Sequence, residues 1–169
     1  MSLKSTKKPT LLLVDDDSII ADSLEYVLNE EYQVNRAFDR LSSFKVLSQM
    51  DDSPTLALVD LGLPPDTHTP DEGLAVIRKI AQMHPSTRVL VLSGQDNKKH
   101  IFQAKESGAV DFISKPCDIA EIKVRLKKQI KAAVAMPATV ILKALSVLAQ
   151  LPNYSACKSD KLPARPTRC

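Results

Sequence analysis

The sequence predicts an α/β fold: a doubly wound, five-stranded parallel sheet in the order 2-1-3-4-5, followed by a C-terminal helical extension. Two observations lead there. Short apolar runs alternate with stretches of helical periodicity along residues 10–130, and four of the five runs stop abruptly at Asp, Ser or Lys. Uninterrupted apolar runs suit strands covered on both faces, and each parallel crossover must carry a helix and keep one hand.

Leu11–Val14 is the first strand, running into Asp15, Asp16 and Asp17. Ser18 is placed to cap a helix in which Ile20, Leu24, Val27 and Leu28 recur at helical spacing up to Glu30. Gln33–Ala37 is a second strand, and Leu41, Phe44 and Leu47 line one face of a second helix. Leu56–Val59 runs into Asp60, a Pro-rich loop follows, and Leu74, Ile77 and Ile80 mark a third helix ending before His84-Pro85. Val89–Leu92 ends at Ser93-Gly94, and a fourth helix fits Asn97 to Ser107 with Gly108 as its stop. Val110–Ile113 leads to Lys115-Pro116, after which Asp118 is placed to cap a fifth helix carrying Ile119, Ile122, Leu126 and Ile130.

Residues 1–9 read as a flexible start, 10–130 as one domain, and 131–169 as a helical extension with a basic, poorly ordered tail. Six Lys or Arg against one Asp give residues 129–169 a charge of +5, whereas residues 1–128 carry −2. Thr139–Leu151 has a wide apolar stripe that calls for an apolar partner: a second copy in a homodimer, the domain's own surface, or a region outside this chain. The 169 residues are 44% hydrophobic with no long apolar span and no secretory h-region near the start, so a cytoplasmic protein without a membrane segment is expected. Cys117, Cys157 and Cys169 form no CxxC pair and the three histidines are scattered, against a zinc site. The tail lacks an aromatic platform or a helix-turn-helix pattern, against nucleic-acid binding by this chain.

In open α/β sheets ligands bind beyond the carboxyl ends of the strands, where the strand order reverses. Asp15, Asp16, Asp60, Ser93 and Lys115 all stand at such ends. Three carboxylates crowded together need a cation, and hard oxygen donors suit Mg²⁺. The same set suits phosphoryl transfer, with Asp60 as nucleophile and the metal, the lysine ammonium and the serine hydroxyl each meeting a phosphoryl oxygen.

With LLLVDDDS (11–18), LALVDLGLP (56–64), VLVLSG (89–94) and ESGAVDFISKP (106–116) in this order, the chain resembles the receiver domain of two-component response regulators over about residues 10–130. The resemblance implies phosphorylation of Asp60, Mg²⁺ held by Asp15, Asp16, Asp60 and the backbone carbonyl of Gly62, a phosphoryl contact from Ser93, and pairing with Lys115. It places Phe112 at an aromatic switch position and implies a cis bond before Pro116. It also implies a phosphoryl donor, either a histidine kinase or a phosphotransfer protein. The loop from Asp60 to Gly73 is longer than in most relatives, in a pattern most similar to receivers of sigma-54-dependent transcription regulators. Gly62 stands where many relatives have a side chain over the phosphorylation site, which leaves water entry open.

The residues leave other readings. Asp17 is a helix cap or solvated acid rather than a third metal ligand, Phe112 also suits the core, and Cys117 reads as an inert thiol. The chain is a phospho-accepting switch, or the receiver fragment of a larger DNA-binding regulator. An aspartyl-nucleophile phosphatase would want a second acid at position 62, where the residue is Gly. A receiver that binds partners without phosphorylation is disfavoured by the complete acid, serine and lysine set.

Overall fold

The computed structural model describes residues 7–134. Its elements alternate without exception: β1 (Thr10–Val14), α1 (Ser18–Leu28), β2 (Gln33–Ala37), α2 (Arg40–Gln49), β3 (Leu56–Val59), α3 (Asp71–Met83), β4 (Arg88–Ser93), α4 (Lys98–Glu106), β5 (Ala109–Ser114) and α5 (Ile119–Val134). The strands form one parallel sheet in the order β2-β1-β3-β4-β5, as the sequence predicts.

Alternation along the strands divides the core into two layers. Leu12 and Val14 of β1, Ala57 and Val59 of β3, and Val89 and Val91 of β4 pack with Leu47, Leu74, Ile77, Ile80 and Ala104, on the side of α2, α3 and α4. Leu11, Leu13, Leu56, Leu58, Leu90 and Leu92 face the other way, onto Ala21, Leu24 and Leu28 of α1 and Ile122 and Leu126 of α5. The order in which strands are added reverses after β2, and one-handed crossovers then put the helices on opposite faces of the parallel sheet. The three central strands are buried along nearly their whole length, while the edge strands β2 and β5 are partly exposed.

Local details refine the sequence reading, which offered both Ser18 and Asp17 as the cap of α1. The cap of α1 is Asp17, whose carboxylate accepts the Ile19 and Ile20 N–H groups at 2.9 and 3.2 Å, and Ser18 is the first helical residue. A carboxylate reaches two orphan amides and carries charge suited to a helix N-terminus, so it outcompetes the neighbouring hydroxyl. That helix ends at Leu28, with Asn29 rather than Glu30 beyond it. On α2, Leu41 is 71% exposed and Ser43 is buried instead; the Ser43 hydroxyl donates to the Asp39 carbonyl at 2.7 Å, which satisfies it inside. In β5 the register slips by one residue, so that Ala109 faces Val89 and Asp111 faces Leu90. Val110 is the extra residue and turns partly to solvent.

The predicted helix at Thr139–Leu151, the break at Pro137 and the poorly ordered tail lie outside the described residues. No helix among the described residues is long and apolar enough to cross a membrane.

Candidate functional site

β1 and β3 are neighbours, so the residues that leave them emerge side by side. The backbone fixes the exits. Asp15 N–H donates to the Ala37 carbonyl at 3.2 Å, Asp60 N–H to that of Val14 at 2.9 Å, and Lys115 N–H to that of Ser93 at 3.0 Å. Each polar residue is thus held by the adjacent strand before its side chain makes any contact.

Lys115 Nζ donates to Asp15 Oδ2 and to Asp60 Oδ2, both at 2.7 Å. Asp15 is 1% exposed and Asp60 9%, whereas Asp16 lies open to solvent. One carboxylate oxygen from each of Asp15, Asp16 and Asp60 lies within 4.8 Å of the others. Burial is the largest influence on Asp15 and pushes its carboxyl above the usual range, with the Asp60 charge adding to the effect and Lys115 opposing it. For Lys115, burial works to lower the ammonium, but the Asp60 charge and the hydrogen bonds to both carboxylates outweigh it and raise the group. The lysine is therefore firmly charged. One ammonium among three carboxylates leaves the cluster anionic, and an all-oxygen donor set with an open side at Asp16 fits a partly hydrated Mg²⁺.

Asp60 has a second tie, since Gly62 N–H donates to its Oδ1 at 3.1 Å. Gly62 thus reaches Asp60 through its amide. Ser93 is buried at the end of β4, and its hydroxyl oxygen accepts the Gln95 N–H at 3.3 Å. Phe112 lies opposite Val91 in β5 and is partly buried against the α2–α4 side of the core. The Lys115–Pro116 bond is cis.

Two neighbours of the site were not singled out in the sequence. Gln95 donates its side-chain amide to the Thr67 carbonyl at 2.7 Å, joining the loop after β3 to the loop after β4. Beside the acid cluster, Ile19, Ile20, Leu24, Pro116, Cys117 and Ile122 help to line an apolar cavity of about 440 Å³ between α1 and α5. Burial pushes the Cys117 thiol up, with Glu121 adding to the effect, which keeps it protonated and unreactive. Neither feature has a residue pattern that would have flagged it in the sequence.

Comparison with known proteins agrees with this fold. The family described as response regulator receiver domain matches residues 11–127. Transcriptional regulatory protein KdpE of Staphylococcus aureus is 30% identical over 117 residues, covering 69% of this chain and 48% of KdpE. Virulence transcriptional regulatory protein PhoP of Salmonella typhimurium is 29% identical over 132 residues, covering 78% of this chain and 56% of PhoP. The chain spans about half the length of these curated relatives. Among solved structures, a response regulator from Thermotoga maritima superimposes with a TM-score of 0.63 at 30% identity, covering 73% of this chain and 98% of that one.

Proposed function

The chain belongs to the response regulator receiver domain family, and from that premise we propose that residues 10–130 accept a phosphoryl group on Asp60 and signal through a change of surface. The observation that carries this reading is the shared lysine: Nζ of Lys115 at 2.7 Å from both Asp15 and Asp60, at the mouth formed by three strand ends. The donor is the phosphohistidine of a histidine kinase or phosphotransfer protein. An Asp60 carboxylate oxygen bonds to phosphorus as the P–N bond breaks, and the imidazole leaves, taking a proton from solvent. Lys115 orients the carboxylate beforehand and then neutralises a phosphoryl oxygen.

Mg²⁺, held by Asp15, Asp16, Asp60 and the Gly62 carbonyl, would supply charge neutralisation for the phosphoryl oxygens. Ser93 gives its hydroxyl to the phosphoryl group, and its displacement frees room into which Phe112 turns, changing the surface of α4, β5 and α5. The domain is then a cytoplasmic switch rather than a turnover enzyme.

A small acyl phosphate with Mg²⁺ should add one phosphoryl mass to the wild-type chain and none to Asp60→Asn. Equal labelling of the two would overturn the assignment. Ser93→Ala should accept phosphate yet lose the phosphorylation-dependent change in partner binding or self-association.

The names of KdpE and PhoP favour a particular output. Both are transcriptional regulatory proteins, so the second reading makes this chain the receiver portion of a DNA-binding regulator. The reading frame around the coding sequence tests it.

A further inference from the structure

We propose that the cleft between α1 and α5 is a binding site for a small, neutral, apolar molecule, a ligand separate from the phosphoryl group and the metal.

The cleft is a space that the core leaves open. Its volume of about 440 Å³ lies in the range of small-molecule sites and far above that of a packing void. Ile20 and Leu24 stand one helical turn apart on α1, and Ile119 and Ile122 do the same on α5, so each helix lends two branched side chains to the lining. Leu24, Ile122 and Leu92 from the end of β4 are buried, whereas Ile20 and Ile119 are only partly buried against the same core layer. Ile19 is 77% exposed. An apolar wall thus runs from a buried floor out to solvent.

The polar groups of the lining decide which ligand fits. Ser23 Oγ donates to the Ile19 carbonyl at 2.7 Å. Lys115 lines the cleft, but its ammonium already donates to Asp15 and Asp60. Cys117 adds a thiol, a weak donor that behaves as a small hydrophobe. No carboxylate is among the described lining residues, so a cationic head would lose its water without gaining a partner. An anionic head fares no better, because the ammonium is committed and the three carboxylates of the acid cluster repel negative charge. Water in the cleft meets the same shortage of partners, so its release by an apolar ligand is favourable. An uncharged ring system satisfies all these conditions.

Two dyes with one ring skeleton test this on the full chain by fluorescence titration. The neutral N-phenylnaphthylamine should bind saturably and one to one. Anilinonaphthalene sulfonate, which adds a negative charge to the same rings, should bind more weakly by about tenfold. Cys117→Phe puts a ring into the space and should abolish binding of the neutral dye. Leu41→Ser removes an exposed apolar side chain on α2 and should leave binding unchanged. A further measurement keeps the cleft intact: in a chain carrying Cys157→Ser and Cys169→Ser, the neutral dye should slow alkylation of Cys117 by iodoacetamide. The proposal is overturned by absence of saturable binding, by a sulfonate that binds as tightly as the neutral dye, by unchanged binding in a folded Cys117→Phe chain, by loss of binding in Leu41→Ser, or by no protection of Cys117. A signal that falls as protein concentration rises would also overturn it and give the cleft to a second copy. None of these measurements involves phosphorylation of Asp60, so the ligand site and that reading stand or fall separately.

Discussion

On one side of the rim, Asp15, Asp60 and Lys115 meet through side chains, each delivered by the end of a strand. On the other, Gly62, Thr67 and Gln95 meet through two backbone groups and one amide carried by loops. The sheet fixes the first arrangement to within the ladder's register. The second depends on space and on a single hydrogen bond. The charged side should therefore be sensitive to the loss of a charge, and the loop side to an added methyl group.

Removing the charge that the acids share is the harshest challenge. Lys115→Met leaves two buried carboxylates facing each other and should cost about 3 kcal/mol of stability without metal, read from urea unfolding. Adding Asp15→Asn should restore part of it; a double variant as unstable as the single would mean that Lys115 acts through packing alone.

Next comes the frame common to both sides. A Cβ on Gly73, in the first turn of α3, would lie 2.4 Å from Leu61 Cα and 2.5 Å from the Asp60 carbonyl oxygen. Gly73→Ala should cost about 2 kcal/mol through overpacking and should also weaken phosphate acceptance. If labelling stays at the wild-type rate in a folded variant, the α3 contact does not set the position of Asp60.

Asp16→Ala separates metal binding from architecture. With its carboxylate exposed, its loss should weaken Mg²⁺ affinity by about tenfold while stability without metal holds or rises, because like charge is removed. A calorimetric titration measures the first and urea unfolding the second.

A remote cap gives the smallest effect and serves as a control. Asp39 caps α2 by accepting the Ser42 N–H at 2.6 Å, while its own N–H donates to the Ser42 hydroxyl. The Ser42 N–H, with the Ser42 hydroxyl and the Leu41 N–H adding to it, holds the Asp39 carboxyl below the usual range. Asp39→Ala should cost about 1 kcal/mol at neutral pH. A lowered carboxyl contributes stability that is full above the ordinary carboxylate range and disappears as pH falls through the lowered value, so wild type and variant should converge in acid. Phosphate acceptance should not change, in contrast to Gly73→Ala.

The charged side was legible in the sequence because its information is one-dimensional. Apolar runs end at the residues that matter, and the order of the runs sets which ends are adjacent. Asp15, Asp16, Asp60 and Lys115 follow from that pattern alone. The contact between Gln95 and Thr67 was not legible, since the Thr67 carbonyl belongs to no residue type and any residue could have supplied it. Leu41 misled for a related reason: Ser43 can enter the core only because the Asp39 carbonyl is there to receive its hydroxyl, a tertiary fact that periodicity does not carry. The slip at Val110 likewise depends on β4, its neighbour, and not on its own residues.

The pinch between Gly73 and Leu61 has a consequence for how such a chain can diverge. Residues 61 and 73 are nearly in contact, so the eleven residues between them leave and return to almost the same point. Closing a somewhat longer excursion costs little, since each doubling of length adds only about 0.6 kcal/mol. Asp60 is bolted to the sheet at the base of that excursion and does not feel its length. Segments can be added to or trimmed from its outer arc without touching the acid cluster, leaving one part of the molecule open to change while the contacts of Asp15, Asp60 and Lys115 are held constant.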